Sequence, residues 1–179
     1  MYSASPTEQE MNKALPTVRC VGFSLGSNQG DRLSVLESVC DYLADVFGTL
    51  RLSQVYETAP VGCPPGSPDY LNACVEVETS MPAVEVLELC LRIEQELGRT
   101  RSGVYGEPRI CDIDLLYCGQ EICQTERLTL PHPRAHEREF VLRPLADIAP
   151  NMVLPGQEKT VSTLLSRYTE NDAVRPFSL

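Results

Sequence analysis

Hydrophobic residues recur at two alternating spacings through the first two thirds of this sequence, and their order constrains the fold more than any other feature. Apolar runs, or alternation with a period of two residues, predict strands over 18–25, 50–56, 70–79 and 108–116. Spacings of three and four residues predict amphipathic helices over 33–47 and 84–93, ended by Gly48 and Gly98. Strands and helices with one apolar face each therefore follow one another along the chain.

The order strand, helix, strand, strand, helix, strand predicts one α+β domain with a ferredoxin-like βαββαβ core. In that arrangement the helices cover one face of an antiparallel sheet, which leaves the opposite face open for a ligand. A turn at Cys118-Gly119 and the segment Glu121 to Leu130 predict a C-terminal hairpin, and short helices follow it. We expect the domain to span 17–168, with a flexible leader over 1–16 and a loose tail over 169–179.

Composition narrows the classes of partner and the compartment. The formal net charge of −10 argues against binding to nucleic acid or to an anionic membrane, because both attract basic surfaces. The apolar runs are far shorter than a membrane span, and no secretion-signal pattern opens the sequence. The eight cysteines contain no C-x-x-C pair and mostly stand in apolar segments, as small core residues do in a reducing compartment. We expect a cytoplasmic protein that acts as a monomer on small molecules.

The predicted strand over 108–116 carries two aspartates, Asp112 and Asp114. Because residues two apart on a strand point to the same side, both carboxylates are expected to share one surface. Hard oxygen ligands without a thiolate or an imidazole suit magnesium. Three arginines that could grip phosphate oxygens stand nearby in the sequence: Arg99, Arg101 and Arg109. These are parts that phosphoryl-type transfer requires, although an isolated pair of this kind is more commonly solvated and simply neutralised by the arginines.

Four other features each have a binding interpretation and a plain one. The proline-rich segment TAPVGCPPGSPD could hold a rigid ligand-facing shape or only connect two strands. Asn72 could hydrogen-bond a heterocycle or face water, and Glu94 could bind a ligand or be solvated. His132 and His136 stand on a predicted short helix with the spacing of a metal pair, but Pro133 intervenes and no third ligand is obvious, so we favour phosphate or nucleotide contact.

Several separated motifs, in order, resemble those of the 6-hydroxymethyl-7,8-dihydropterin pyrophosphokinase family between about Val21 and Leu165. The motifs are GSN after the first strand, YETAPVG, PDYLNA, RIEQELGR, PRICDIDLLY and ERLTLPHPRAHEREFVLRPLADIAP. The resemblance implies a ferredoxin-like enzyme of folate biosynthesis. Such an enzyme transfers the terminal diphosphate of ATP to the hydroxymethyl group of the pterin and releases AMP, using two magnesium ions.

The resemblance also implies roles for individual residues. The catalytic residues would be Arg99, Arg109, Asp112 and Asp114, and the last two would hold the metal. The pterin pocket would be lined by Thr58, Pro60, Gly62, Tyr70, Asn72 and Phe140. The nucleotide side would comprise Glu94, Arg99, Arg101, Arg109, Arg127, Thr129, His132 and Arg138. A flat heterocycle needs an aromatic face and hydrogen bonds at its edge, and Tyr70, Phe140 and Asn72 have those groups.

The segment from Arg101 to Glu107 departs from the family pattern. Most members carry a basic residue and a tryptophan there, whereas this chain has Tyr105, Gly106 and Glu107 and no tryptophan. Loss of a stacking ring and addition of a carboxylate near phosphates would weaken nucleotide binding or slow closure. Two alternatives therefore stay open: a catalytically weak module that binds a nucleotide or pterin, and a different magnesium-dependent phosphotransferase on the same fold.

Overall fold

The computed structural model describes residues 17–60, 66–98, 110–168 and 173–178. The strands are β1 Arg19–Ser27, β2 Arg51–Leu52, β3 Tyr56–Thr58, β4 Tyr70–Thr79, β5 Asp112–Cys118, β6 Cys123–Gln124, β7 Thr129–Leu130 and β8 Val174–Pro176. The α-helices are α1 Arg32–Phe47, α2 Ala83–Glu96, α3 Glu139–Ile148 and α4 Val161–Leu165, and a 3₁₀ turn spans Ala135–Glu137.

The main sheet is antiparallel, with the strand order β5-β1-β4-β3-β8, and β2 pairs with a further part of β4. The two long strands β1 and β4 lie at its centre, and α1 and α2 each follow a strand of the core. This is the ferredoxin-like arrangement, so the predicted fold class is confirmed.

The core between the sheet and the two long helices follows from the hydrophobic spacing. Alternate residues of β1, among them Phe23 and Leu25, are buried against Val39 and Leu43 of α1 and Ile93 of α2. Each buried side chain of this size contributes about 1.5–3 kcal/mol. The packing holds β1, β4 and β5 in one register, which positions the residues on the opposite face.

Both long helices have the predicted ends. Asp31 caps α1, where its Oδ1 accepts a hydrogen bond from the Ser34 N–H at 3.2 Å. Gly48 and Gly98 follow the two helices with φ angles of 77° and 88°, which glycine adopts without steric cost. Between β1 and α1, residues 28–31 form the turn from strand to helix.

The predicted strand over 50–56 is divided into β2 and β3 by Ser53. The Ser53 N–H donates to the Cys74 carbonyl oxygen at 3.0 Å, and its Oγ accepts from the Cys74 N–H at 2.8 Å. One serine thus satisfies both backbone groups of Cys74 through its backbone and its hydroxyl. The Ser53 hydroxyl thus replaces the backbone carbonyl oxygen that a strand partner would normally offer to the Cys74 N–H. The sequence could not predict this contact.

The face opposite α1 and α2 is only partly open, which corrects the expectation of a free face. Helix α3 packs there against β4 and β5, and Cys74, Leu116, Tyr117 and Leu142 are buried in this second core. Leu116 has no partner in β1, since Gly22 pairs with Tyr117 and Phe23 with Leu115. This β-bulge turns Leu116 and Tyr117 toward α3 and leaves the beginning of β5 uncovered.

Three further predictions after the core need correction. The hairpin β6–β7 forms a separate small sheet instead of extending β5. The predicted helix with His132 and His136 is a short 3₁₀ turn, and α3 begins only at Glu139. Within the expected loose tail, Val174–Pro176 forms β8 and pairs with β3.

In the parts of the chain that the structure describes, no helix is long and apolar enough to cross a membrane.

Candidate active site

Residues on four strands stand in one row across the sheet, on the face opposite α1 and α2. Asn72 on β4 pairs with Gly26 on β1, and Gly26 pairs on its other side with Asp112 on β5. Tyr56 on β3 pairs with Asn72 and completes the row. Opposed residues of antiparallel strands point to the same face, and strands are about 4.8 Å apart. The backbones of Asn72 and Asp112 are therefore separated by about 10 Å, with no side chain between them.

Asp114 lies on the same face as Asp112, as the strand spacing predicts, and stands opposite Ser24. Its carboxylate is partly exposed and has cationic or polar neighbours. Arg138 Nη1 lies 3.5 Å from Asp114 Oδ2, and His132 Nε2 lies 3.8 Å from the same oxygen. Both contacting groups follow β7 in the chain, so the segment before α3 faces the start of β5.

A cavity of about 290 Å³ opens beside the two carboxylates. Six of the residues expected on the metal and nucleotide side line it: Glu94, Asp112, Asp114, Arg127, Thr129 and His132. Leu87, Leu91 and Leu128 form an apolar wall of the same cavity. Charged groups beside an apolar wall suit a ligand with both a phosphate chain and a flat base.

Glu94 is buried to 3% exposure, so it is not the solvated residue of the plain interpretation. Its Oε1 accepts a hydrogen bond from the backbone N–H of Ile113 at 2.8 Å. Ile113 stands between the two aspartates in β5. Glu94 therefore ties α2 to the strand that carries both carboxylates, in addition to lining the cavity.

His132 is oriented by its own backbone and ring contacts. Its N–H donates to the Leu116 carbonyl oxygen at 2.8 Å, and its Nδ1 accepts from the Arg134 N–H at 3.2 Å. Burial lowers the pKa of His132 below its ordinary value, while Asp114 opposes this effect and Arg138 adds to it. A neutral ring whose Nδ1 is an acceptor carries its proton on Nε2, the nitrogen that faces Asp114.

Two arginines of the nucleotide side are placed by other side chains. Arg127 Nη2 lies 3.1 Å from Oε1 of Glu88 on α2, and both side chains are exposed. The Arg138 guanidinium stacks over the Phe140 ring, 5.5 Å from its centroid. Phe140, expected as an aromatic wall of the pterin pocket, is thus connected to the carboxylate side through Arg138.

The residues expected in the pterin pocket gather at the other end of the row. The Asn72 Nδ2 group donates to Thr58 Oγ1 at 2.7 Å, and both residues are buried. Tyr70 pairs with Thr58 across β3 and β4, and Pro60 follows β3 closely. Asn72 is therefore held in one orientation by a hydrogen bond, which excludes the solvated interpretation.

Gly26 is a site residue that the sequence alone did not single out. A Cβ atom at this position would lie 3.5 Å from Asn72 Oδ1 and 3.8 Å from the Asp112 Cβ. Gly22, Ser24 and Gly26 alternate along β1 on the ligand face. Small residues at every second position of an otherwise hydrophobic strand indicate a close approach of another group, and this signal could have identified Gly26.

Four of the expected site residues lie outside the described parts of the chain: Gly62, Arg99, Arg101 and Arg109. Within those parts, no cluster of three or more His, Cys, Asp and Glu side chains could hold a metal ion by itself. Asp112 and Asp114 nevertheless fit magnesium. Two partly exposed carboxylates on one face, beside a polar cavity, match the way magnesium binds one or two carboxylates together with substrate phosphates.

The fold defines the class: a ferredoxin-like α+β protein, with a candidate acidic site where the start of β5, at the edge of the sheet, borders a cavity that α2 and β7 also line. The family model of 7,8-dihydro-6-hydroxymethylpterin-pyrophosphokinase (HPPK) matches residues 22–150. The 2-amino-4-hydroxy-6-hydroxymethyldihydropteridine pyrophosphokinase of Haemophilus influenzae is 36% identical over 155 residues, covering 86% of this chain and 95% of that protein. The protein of the same name from Bacillus subtilis is 45% identical over 128 residues, covering 70% and 75%.

A solved structure, Plasmodium falciparum HPPK-DHPS wild type with pteroate, matches with a TM-score of 0.67 at 14% identity. The match covers 87% of this chain but 43% of that chain, so this chain spans less than half of the solved one. At this identity the likeness shows the fold alone. The family model and the two relatives show that the chain belongs to the HPPK family of pyrophosphokinases and is an enzyme.

Proposed function

We propose that this chain transfers diphosphate from ATP to the hydroxymethyl group of 6-hydroxymethyl-7,8-dihydropterin, releasing AMP, in folate biosynthesis. The row across β4, β1 and β5 is the observation that carries the proposal. Asn72 and Asp112 are the partners of Gly26 on its two sides, so the backbones of a buried, oriented amide and of a carboxylate are about 10 Å apart. A pterin bound to Asn72 would direct its hydroxymethyl group toward the carboxylates across this gap.

The pterin half of the site has the groups that a flat, polar heterocycle requires. Asn72 has one N–H engaged with Thr58 at 2.7 Å, and its carbonyl oxygen lies 3.5 Å from the position of a Cβ atom at Gly26. Its amide is therefore oriented before a ligand binds, which lowers the entropy cost of binding. Tyr70 and Phe140 supply aromatic surface, and Pro60 and Gly62 belong to the connection that we assign to the pocket.

The nucleotide half is the cavity of about 290 Å³ between α2, β5 and β7. We assign the base and ribose to the region of Glu94, Leu128 and Thr129, and the phosphates to Arg127, His132 and Arg138. Arg99, Arg101 and Arg109 complete the phosphate contacts in this proposal. An arginine grips phosphate oxygens through parallel hydrogen bonds, so several arginines can hold a triphosphate in one geometry.

Asp112 and Asp114 would hold magnesium, and we propose two ions, as the resemblance implies. Bound magnesium supplies neutralisation of the charge that develops on the transferred phosphoryl groups. Arg138 and His132 contact Asp114 Oδ2, which supports a fixed orientation of this carboxylate beside the cavity. Glu94 holds the backbone of Ile113 and thereby fixes the direction of both aspartates.

The reaction is attack of the hydroxymethyl oxygen on the β-phosphorus of ATP. A bond forms between these two atoms, the hydroxyl proton is released to water, the bond from the β-phosphorus to the oxygen bridging it to the α-phosphorus breaks, and AMP leaves with that oxygen. The protein needs no covalent nucleophile, because positioning and charge neutralisation supply most of the acceleration in such transfers. The acceptor is held by Asn72 and Tyr70, while Arg99 and Arg109 are assigned to the triphosphate.

The product formed from ATP tests this function directly. The purified chain, incubated with ATP, magnesium and 6-hydroxymethyl-7,8-dihydropterin, is expected to form AMP and the pterin diphosphate in equal amounts. Omission of the pterin should abolish AMP formation. Formation of ADP would favour a different phosphotransferase, and tight binding of ATP and pterin without product would favour a binding module.

Replacement of Asn72 by leucine is expected to weaken pterin binding by about 10- to 100-fold. The change removes the amide assigned to the edge of the pterin, and leaving those polar groups without a partner costs about 1–3 kcal/mol of binding. It also leaves Thr58 Oγ1 without its donor. Affinity for a non-hydrolysable ATP analogue should not change. Titration calorimetry with each ligand measures both values. Asn151→Leu, at an exposed position outside the sheet, is the matched control and should bind pterin normally.

We further propose that the chain acts as a monomer in the cytoplasm. The cysteines that the structure describes are free thiols, which suits a reducing compartment. Light scattering and fractionation of cells that express the protein would test these two points.

A further inference from the structure

The C-terminal strand β8 lies beside the pterin half of the site and contributes no group to the proposed chemistry. It pairs with β3 on the side away from β4, with Val174 opposite Thr58 and Arg175 opposite Glu57. The Phe177 N–H extends the pairing by donating to the Val55 carbonyl oxygen at 2.8 Å. Without β8, the three-residue strand β3 would form the outer edge of the sheet and would hydrogen-bond only to β4.

Arg175 also bridges the two ends of the connection between β3 and β4. Its Nη2 lies 2.7 Å from Glu57 Oε2 and 3.7 Å from Asp69 Oδ2. Glu57 precedes Thr58, and Asp69 precedes Tyr70. One guanidinium thus contacts the residue before each of these two pterin-side residues.

Arg32, in the first turn of α1, makes a parallel bridge. Its Nη2 lies 3.0 Å from Glu57 Oε1, and its Nη1 donates to the Asp69 carbonyl oxygen at 2.7 Å. Arg32 and Arg175 therefore each form an ion pair with Glu57, whose side chain is only 17% exposed. The ends of the β3–β4 connection are fixed to α1 on one side and to β8 on the other.

We infer that β8, acting through Arg175, is a positioning element for the acceptor pocket: it holds Thr58 and Tyr70 in the geometry that binds the flat heterocycle. This inference rests on the proposed function, because it assigns the pocket to the pterin. A pocket whose walls are fixed before binding loses less entropy when the ligand arrives, so the contribution of Arg175 appears in pterin affinity. The nucleotide cavity between α2, β5 and β7 does not include Arg175, Glu57 or Asp69.

The first test compares the affinities of full-length variants for the two ligands. Arg175→Ala is expected to raise the dissociation constant of the pterin by about fivefold and to leave that of an ATP analogue unchanged. Arg175→Lys keeps one ion pair with Glu57 and should recover part of the affinity. Arg167→Ala, which removes an equal charge from a side chain stacked on Tyr168, is the matched control and should bind both ligands as the wild type does.

The second test needs no ligand. Hydrogen exchange of peptides that cover β3 and the first residues of β4 should be faster in Arg175→Ala than in the wild type and in Arg167→Ala. A chain that ends after Tyr168 lacks β8 and should show still faster exchange there and weaker pterin binding than Arg175→Ala. If this truncated chain does not fold, the comparison of Arg175→Ala with Arg167→Ala decides by itself, because both keep the backbone of β8.

The outcomes separate this inference from the proposed function. Normal pterin binding by Arg175→Ala, or equal weakening for pterin and nucleotide, would overturn the positioning role while the function stands. Unchanged hydrogen exchange in β3 would overturn it as well. Failure of the wild-type chain to bind the pterin would overturn the proposed function, and the assignment of the pocket with it.

Discussion

Asp114→Asn is expected to lower the rate of AMP formation at saturating substrates by about a hundredfold to a thousandfold. The change keeps the size of the side chain but removes the charge that faces Arg138 and His132 and that would bind magnesium. Because the carboxylate is partly exposed and lies outside both hydrophobic cores, the melting temperature should change little. Quenched-flow assays of AMP and a thermal melt measure the two quantities.

The magnesium dependence of the same variant separates a metal role from a general electrostatic one. A lost metal ligand should shift the half-saturating magnesium concentration upward, whereas loss of surface charge alone should not. Asp45→Asn, at an exposed position of α1, is the matched control and should retain the wild-type rate. Wild-type AMP formation by Asp114→Asn in ordinary magnesium would refute the metal assignment.

Gly22→Ala is expected to destabilise the fold by about 3 kcal/mol. A Cβ atom at this position would lie 2.3 Å from Cε1 and Cζ of the Tyr117 ring, which crosses β1 at the β-bulge. The ring cannot move freely, since it is buried and the Tyr117 hydroxyl donates to Glu76 Oε2 at 2.6 Å. Chemical denaturation should report the loss, and the melting temperature should fall by about 10 °C.

A double variant tests the steric cause of this loss. Gly22→Ala combined with Tyr117→Leu removes the clashing ring, so the two changes together should cost less than the sum of the single changes. Gly30→Ala provides a comparison without a clash: Gly30 has a φ angle of 65° and nothing lies within 4 Å of its Cβ position. It should cost about 1–2 kcal/mol through backbone strain alone. Additive costs for Gly22 and Tyr117 would contradict the clash.

The sequence predicted the elements whose hydrophobic spacing is long and regular. The alternation in 70–79 and the helical spacing in 33–47 each persist over ten or more residues, so β4 and α1 were predicted almost to their ends. The two-residue repeat of side-chain direction in a strand also predicted that Asp112 and Asp114 share a face. These inferences depend only on local geometry.

Features that depend on distant residues were missed. The cover of the second face by α3 arises from packing against Cys74 and Leu116, and no local pattern records that contact. Strand β8 is three residues long and ends in a proline, too short for a recognisable alternation. It pairs with β3, where Arg175 contacts Glu57, a residue 118 positions earlier. The sequence likewise left Glu94 and Asn72 each with a solvated alternative, because burial is a property of the folded chain.

Gly26 lies at the centre of the row, between Asn72 and Asp112. The geometry of the proposed site therefore depends on the register of β1 with β4 and β5. Main-chain hydrogen bonds on both sides of β1 set the distance between Asn72 and Asp112, so in the proposed site the acceptor and donor halves are about two strand spacings apart. A slip of β1 by one residue would turn Gly26 toward the helices and place a side chain in the gap. Phe23 and Leu25 are packed on the other face and prevent such a slip. Their packing therefore fixes the distance between Asn72 and Asp112 in the proposed site.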